Sequence, residues 1–183
     1  YMPDFQKGQY MSKIILASKS PRRIELLKMC NINFNSLVAD IDEDLIKSDI
    51  IATFKEENTF EQAEILTKKL AYEKALYIYK ENPDHLVIGS DTLVVTDKSI
   101  LGKPKDPQDA YIMLRELSGQ VHRVYTGVSI IGPGYEDTFA SIAQVKFYDF
   151  DPAMDQIIID YIASGSPMDK AGGYGIQDMG ALL

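Results

Sequence analysis

The chain has almost no cysteine and no long hydrophobic run, and each absence excludes a class of protein. A single cysteine, Cys30, cannot form an internal disulfide, which fits a reducing compartment. No apolar run approaches the ~20 residues that a helix needs to cross a bilayer, so no membrane partner is expected. The net charge of −8 at pH 7 argues against a broad surface for a nucleic-acid polymer, although a few local cations can still bind a small anion.

Several common catalytic motifs are also missing. The sequence contains no G-x-x-x-x-G-K-[ST] loop, no H-E-x-x-H pair and no serine nucleophile elbow. His85 and His122 lie far apart and lack partners for a zinc site, so both are expected to be ordinary core or surface residues. Cys30 falls late in a predicted helix among apolar neighbours, which favours an inert, buried thiol over a nucleophile.

Three predicted helices begin with the same sequence pattern, an oxygen-bearing N-cap residue followed by proline at the first helical position. The pairs are Ser20-Pro21, Asp106-Pro107 and Asp151-Pro152. The last two predict helices over residues 107–117 and 152–163.

The longest helix is predicted over residues 60–79. Thr59 and Gln62 have capping-box spacing at its start, and apolar side chains recur along it every three or four residues. Residues 42–58, just before it, are the most polar stretch and are predicted to be a mobile surface segment.

Apolar runs at residues 14–17 and 86–89 predict buried strands. Two longer segments, 121–131 and 138–149, are rich in β-branched and aromatic residues and flank Gly132-Pro133-Gly134, which predicts an antiparallel hairpin. The predicted fold class is therefore α/β, with a mixed, twisted sheet and flanking helices.

We expect one domain. Residues 1–12 lack clear periodicity and are expected to be a tag or loose leader, since Met11-Ser12-Lys13 resembles a natural start. No internal repeat, low-complexity tract or long linker divides residues 13–183.

The segment Ser18-Lys19-Ser20-Pro21-Arg22-Arg23 is a candidate anion site. One interpretation is a plain helix start with two solvated arginines. Against it, Arg22 and Arg23 fall in the first helical turn, where the positive end of the helix dipole disfavours cations. A bound phosphate would reverse that penalty, because backbone N–H and guanidinium groups would converge on it. The site interpretation is favoured.

Asp91 follows the apolar run at residues 86–89, flanked by the hydroxyls of Ser90 and Thr92. It either organises a turn or serves as a general base or a ligand of a hard cation such as Mg²⁺. Glu43 adds a further carboxylate, although a solvated acidic face is the simpler interpretation of its neighbourhood.

Two loops carry further polar candidates. In Leu101-Gly102-Lys103-Pro104, glycine and proline restrict the loop and direct Lys103, a weak motif by itself. Residues 167–177 contain three glycines within four positions, which either form a plain turn or let the backbone approach a ligand closely. The polar side chains there are Asp169, Lys170, Tyr174 and Gln177.

Together these segments resemble the Maf-like nucleoside triphosphate pyrophosphatases, in the family order and over residues 14–180. The matching segments are Leu16-Ala17-Ser18-x-Ser20-Pro21-Arg22-Arg23-x-Glu25-Leu26-Leu27, Leu70-Ala71-x-x-Lys74-Ala75, Gly89-Ser90-Asp91-Thr92, Leu101-Gly102-Lys103-Pro104, Met113-Leu114-Arg115-x-Leu117-Ser118-Gly119 and Asp169-Lys170-Ala171-Gly172-Gly173-Tyr174-Gly175-Ile176-Gln177.

The resemblance implies an elongated fold like that of inosine triphosphate pyrophosphatase, with two lobes around a cleft. It implies a reaction, dependent on Mg²⁺ or Mn²⁺, that splits a nucleoside triphosphate into the monophosphate and pyrophosphate. It also implies a cytoplasmic homodimer and a role in clearing nucleotides, modified pyrimidine nucleotides included.

The resemblance further assigns roles to residues of this chain. Asp91 corresponds to the proton acceptor, and Asp91 and Glu43 to acidic residues at the metal. The implied catalytic residues are Asp91, Lys103, Lys74 and Arg23, and the implied substrate-binding residues are Ser18, Arg22, Thr92 and Gln177. The residues at positions 22, 92 and 177 resemble the branch that acts on dTTP and UTP.

Two departures and two rival functions accompany the resemblance. Asp178 replaces the usual glycine, so the specificity loop is expected to take a different path, and the chain is expected to lack the family's usual C-terminal end. One rival is a nucleotide-binding regulator of septum formation and cell division with little turnover, and the other is a phosphomonoesterase. Asp91, Lys74 and Lys103 together favour an enzyme over the regulator, and the product, pyrophosphate or inorganic phosphate, separates the pyrophosphatase from the phosphomonoesterase.

Overall fold

The computed structural model describes residues 13–183, so the expectation for residues 1–12 lies outside the described residues. Helices and strands alternate along most of the chain, and short 3₁₀ turns end it. The elements are β1 (Ile14–Ala17), α1 (Pro21–Met29), β2 (Phe34–Leu37), α2 (Glu43–Thr53), α3 (Thr59–Glu81), β3 (Leu86–Val95), β4 (Ile100–Leu101), α4 (Pro107–Leu117), β5 (Val121–Gly132), β6 (Tyr135–Lys146), α5 (Pro152–Ala163) and the 3₁₀ turns Ser166–Asp169, Ala171–Gly173 and Met179–Leu182.

The strands form one six-stranded mixed sheet in the order β2-β1-β3-β5-β6, with β4 paired to β3. β1 runs parallel to both β2 and β3, whereas β5 is antiparallel to β3 and to β6. The predicted mixed sheet with flanking helices is confirmed.

Helix α3 packs directly on β3 and β5 because two strand positions opposite it carry no side chain. A methyl group at Gly89 would overlap the carbonyl oxygen of Ala71, and one at Gly127 would overlap that of Thr67. The backbone of α3 therefore lies in direct contact with the backbone of β3 and β5. This close packing brings the next turn of α3, with Lys74, over β3.

The hydrophobic core has three parts. One lies between α4, α5 and the far end of β3, around the buried residues Leu114, Ile158 and Tyr161. The other two pack α3 on the sheet, one around Leu66 and the other around Val87.

The predicted caps are correct for α4 and α5, where Asp106 and Asp151 accept hydrogen bonds from backbone N–H groups in the first turn. Ser20 occupies the cap position of α1 but makes no capping bond. The predicted capping box of α3 is wrong by one residue, since Asn58 and Glu61 form it instead.

The hairpin is confirmed with a tighter turn than predicted. β5 pairs with β6 from Val121–Lys146 to Gly132–Tyr135, so only Pro133 and Gly134 lie outside the ladder. Gly134 takes the left-handed conformation (φ +71°) that such a turn requires. β6 therefore begins three residues earlier than position 138.

One helix in the N-terminal half was not predicted, and one prediction there is wrong. Residues 42–58 contain helix α2, which is capped by Asp42. Ile46 and Ile50 of this helix pack against the core. Most residues of the segment are nevertheless exposed, as expected of a surface segment. Cys30 is exposed, because α1 lies at the sheet margin and none of its residues Pro21–Met29 is buried.

Within residues 13–183, no helix combines the length and apolar character needed to cross a membrane.

Candidate active site

The candidate active site lies where β1 ends and its neighbour β3 continues. The two strands pair from Ile14–Leu86 to Ala17–Gly89, and the chain of β1 then turns at Ser18 into α1. β3 runs on to Val95, and over this stretch its partners among the described strands are β5 and β4. Residues 90–92 therefore lie within a strand, which corrects the prediction that they follow a strand end, and the departure of β1 leaves a gap beside them.

On the α3 side of this gap, two carboxylates meet one ammonium group. Asp91 Oδ1 accepts a hydrogen bond from Lys74 Nζ at 2.6 Å, and Glu43 Oε1 lies 3.0 Å from the same nitrogen. The side chains of Asp91 and Lys74 are each 12% exposed, whereas that of Glu43 is 55% exposed. Three elements, β3, α3 and α2, thus bring the predicted residues Glu43, Lys74 and Asp91 together.

Burial raises the pKa of the Asp91 carboxyl above its ordinary value of 3.8. The positive charge of Lys74 and its hydrogen bond oppose this shift without cancelling it, and Arg23 adds a smaller opposing effect. The loss of hydration therefore changes the pKa of Asp91 more than the nearby Lys74 cation does. A carboxyl group with a raised pKa is a stronger base than an ordinary aspartate, which suits it to accept a proton.

On the opposite side of the sheet, Arg23 links two hydroxyls. Its guanidinium group donates to Ser18 Oγ at 3.3 Å and to Thr92 Oγ1 at 3.0 Å. Burial lowers the pKa of Arg23, yet a guanidinium group stays charged at neutral pH. Three predicted residues, Ser18, Arg23 and Thr92, therefore form one cluster from α1, β3 and the end of β1.

Arg22 faces the glycine-rich segment rather than Asp91. Its guanidinium nitrogen lies 3.9 Å from Asp169 Oδ1, which also accepts a hydrogen bond from Lys170 Nζ at 2.9 Å. Burial alone would raise the pKa of Asp169, but the hydrogen bond from Lys170 and the two nearby cations lower it. The predicted anion site and the segment at residues 167–177 are therefore in contact.

Lys103 and Gln177 are exposed, and the structure does not bring either to Asp91. Across residues 13–183, Lys103 forms no ion pair and Gln177 no side-chain hydrogen bond. Their loops do meet, because Gly172 N donates to the carbonyl oxygen of Gly102 at 2.9 Å. Both side chains project from adjoining loops.

The carboxylate pair fits a divalent cation that arrives with a phosphate ligand. The described part of the chain holds no ready group of three His, Cys, Asp or Glu side chains for a metal. Mg²⁺ commonly uses one or two carboxylates together with substrate phosphates, however, and Asp91 and Glu43 already converge on one point. Lys74 Nζ now lies at that point.

Sequence reasoning missed Thr126, whose hydroxyl lies 3.4 Å from that of Thr92. The two threonines are direct partners in the β3–β5 ladder. Thr126 was placed in a predicted strand, but only the pairing register puts it beside Thr92. Ser36 was missed as well; its hydroxyl donates to the carbonyl oxygen of Ser18 from β2, a strand that the sequence did not predict.

His122 is a core residue, one of the two ordinary positions, core or surface, predicted for the histidines. His122 is 1% exposed, its Nε2 lies 2.6 Å from the Tyr174 hydroxyl, and its ring packs edge-on against Phe147. Burial lowers the pKa of His122 to about 4, so the imidazole is neutral at pH 7. Its Nδ1 is buried and has no hydrogen-bond partner among the described residues.

The chain matches one family of known proteins over most of its length. The family described as "Maf-like protein" matches residues 13–183. A "dTTP/UTP pyrophosphatase" of Geobacillus sp. (strain WCH70) is 45% identical over 173 residues, covering 94% of this chain and 85% of the relative.

Relatives from two further bacteria carry the same name. The protein of Thermosipho africanus (strain TCF52B) is 44% identical over 93% of this chain and 80% of its own length. That of Aquifex aeolicus (strain VF5) is 40% identical over 93% of this chain and 82% of its own length. With a family match over nearly its whole length and relatives this similar, the chain belongs to the Maf-like proteins.

Proposed function

We propose that this chain hydrolyses dTTP and UTP to the nucleoside monophosphate and pyrophosphate. The observation that carries the proposal is the buried Asp91 carboxyl, which lies 2.6 Å from Lys74 and within the electrostatic reach of Arg23. A base and several cations around one gap match the needs of phosphoryl chemistry. Several relatives at 38–45% identity are named dTTP/UTP pyrophosphatase, which supports the substrate.

The phosphates bind at the start of α1 and across the gap. The first backbone N–H groups of a helix lack partners within it, and the Ser20 hydroxyl does not cap them. Ser18 and the guanidinium groups of Arg22 and Arg23 complete an anion site there. Lys74 and Lys103 offset the remaining negative charge of the triphosphate, Lys103 from its exposed loop.

Asp91 acts as the proton acceptor. A water oxygen attacks the α-phosphorus, the bond from that phosphorus to the oxygen bridging to the β-phosphate breaks, and pyrophosphate leaves with the bonding electron pair. Asp91 takes the proton that the water loses, which its raised pKa favours over an ordinary aspartate. A divalent cation, Mg²⁺ or Mn²⁺, held by Asp91, Glu43 and the substrate would neutralise phosphate charge and make the phosphorus more electrophilic.

Thr92 and Gln177 select the base, and modified pyrimidine nucleotides are further candidate substrates. Thr92 is held by Arg23 and Thr126 at the gap, and Gln177 is free to contact a ligand from its exposed loop. We further propose that the protein acts as a homodimer in the cytoplasm. This last point rests on the family resemblance.

The test is a product assay with the purified chain, Mg²⁺ or Mn²⁺ and a panel of nucleoside triphosphates. Wild type is compared with D91N and with the control D137N, which alters an exposed aspartate on β6. We expect pyrophosphate release, strongest with dTTP or UTP, that is lost in D91N and kept in D137N. Inorganic phosphate as the product would favour a phosphomonoesterase, and nucleotide binding without turnover would favour the regulator.

A further inference from the structure

The strongest unassigned feature is the Asp178 carboxylate, which directly follows Gln177. Its Oδ1 accepts hydrogen bonds from the Tyr161 hydroxyl and from Gly180 N, both at 2.9 Å, and its Oδ2 accepts one from Ser166 Oγ at 2.6 Å. One side chain thus joins α5, the turn after it and the last turn of the described chain. The proposed catalytic steps use none of these contacts.

Lys170 supplies the opposite charge. It is 7% exposed, and its Nζ lies 3.3 Å from Asp178 Oδ2 and donates to Asp169 Oδ1 at 2.9 Å. Burial alone would raise the pKa of Asp178, but hydrogen bonds from Ser166, Gly180 and Tyr161 lower it. The carboxylate is therefore ionised at neutral pH and bound by charge-assisted hydrogen bonds, which are the stronger kind.

Residues 175–180 form a closed loop with Gln177 near its tip. A methyl group at Gly180 would lie 2.6 Å from the carbonyl oxygen of Gly175, so the two ends of the loop touch. The Tyr161 hydroxyl accepts from Gly175 N at 3.2 Å while donating to Asp178. Tyr161 and Asp178 therefore fasten both ends of this loop to α5.

The same network reaches the proposed phosphate site. From Asp178 it passes through Lys170 to Asp169, which lies 3.9 Å from the guanidinium group of Arg22. The loop that carries Gln177 is therefore fixed relative to the residue that would bind phosphate.

We infer that Asp178 is a positioning residue for base selection, which holds the Gln177 loop at a set distance from the Arg22 phosphate site. The inference rests on the proposed function and adds to it a residue that touches neither the base nor the phosphates. Loss of the Asp178 carboxylate frees the loop end and leaves Tyr161, Ser166 and Lys170 without their shared acceptor. Discrimination between bases then suffers, while the reacting groups around Asp91 keep their geometry.

The test compares wild type, D178A and D178N with the control D160A. Asp160 is an exposed aspartate on α5 whose side chain bonds only Gln156 among the described residues, so D160A removes a nearby charge without touching the loop. The kinetic constants kcat and KM are measured for dTTP, UTP and GTP. For D178A we expect KM for dTTP and UTP to rise about tenfold, GTP to change less and kcat to stay within about twofold. D178N keeps an acceptor oxygen without the charge, so its KM values should lie between those of wild type and D178A. D160A should match wild type.

Equal changes for all three nucleotides, or an unchanged ratio of kcat/KM for dTTP over GTP, would overturn the inference while leaving the proposed function intact. Should D178A fail to fold, D178N and S166A decide by the same ratio. A wild type that releases no pyrophosphate would refute the proposed function. The inference is then tested by calorimetric measurement of dTTP and GTP binding. A preference of wild type for dTTP that is lost in D178N would support the inference, and equal affinities of wild type for the two nucleotides would overturn it.

Discussion

Lys74 and Asp91 form a 2.6 Å ion pair between a helix and a strand, with only 12% of each side chain exposed. Removing Lys74 would leave the buried Asp91 carboxylate without its hydrogen-bonded partner, which is costly, whereas removing Asp91 would leave Lys74 paired with Glu43. In the proposed complex, the triphosphate would give the Lys74 ammonium group a further anionic partner beside Asp91 and Glu43.

The first prediction concerns K74Q. Lys74 lowers the pKa of Asp91 against the effect of burial, so its loss should raise that pKa further. The acidic limb of the profile of kcat/KM against pH should move to higher pH, and kcat/KM at pH 7 should fall about 10²-fold. K69Q is the matched control, because Lys69 lies on the same helix and pairs with the surface residue Glu73. A limb at the wild-type position in K74Q would contradict the role given to Lys74.

The second prediction concerns R23K. The guanidinium group of Arg23 donates to Ser18 and Thr92 at once, a fork that a single ammonium group does not reproduce. KM for dTTP should rise about tenfold, as expected for the loss of a charge-assisted contact. R115K serves as control, since Arg115 stacks on Phe150 away from these hydroxyls. Steady-state kinetics measure both, and equal KM values for R23K and R115K would argue against a substrate-binding Arg23.

The third prediction is a pH dependence of stability set by His122. Its pKa is lowered from 6.5 to about 4 in the folded protein, so between these values the unfolded chain binds a proton that the native state does not. The free energy of unfolding should therefore fall as the pH drops from 6.5 to about 4. Urea titrations across this window should show the slope in wild type and a smaller slope in H122Q. Y174F, which keeps the buried imidazole, should retain the slope, and an H122Q slope equal to that of wild type would disprove the assignment.

The fourth prediction concerns the contact between α3 and the sheet. In G89A the added methyl group would overlap the Ala71 carbonyl oxygen, so α3 must shift, at a cost of about 1–3 kcal/mol or more. The shift would also separate Lys74 from Asp91, so activity should fall together with stability. G102A is the control, because a methyl group there meets nothing within 4 Å. Equal urea midpoints for G89A and wild type would show that α3 has room to move.

Local chemistry made much of the fold predictable. Asp106 and Asp151 start their helices as predicted, because a carboxylate cap followed by proline acts within one turn. The misses depend on tertiary packing. α2 is anchored by Ile46 and Ile50, two apolar residues in a polar segment, and Cys30 is exposed because of where α1 lies against the sheet.

The same division applies to the candidate site. Asp91 and Arg23 stood out from sequence because each sits at an unusual place, a carboxylate after an apolar run and a cation in a first helical turn. Their partners did not stand out. Thr126 lies beside Thr92 because of the strand register, and Asp178 accepts a hydrogen bond from Tyr161, 17 residues earlier in the chain. Neither contact can be recognised from a local sequence pattern. That Lys103 and Gln177 join the site stays a prediction.

The position of Asp91 inside a strand has a consequence for how this protein can change. Gly127 of β5 pairs with Asp91 on the one side, and α3 packs over it, so the reactive carboxyl belongs to the most constrained part of the molecule. Gln177 and Lys103, by contrast, extend from loops at the periphery. Substitutions at Gln177, which is proposed to select the base, can therefore change nucleotide choice without disturbing the strand that holds Asp91, whereas a change at Thr92, the next residue in that strand, would alter both.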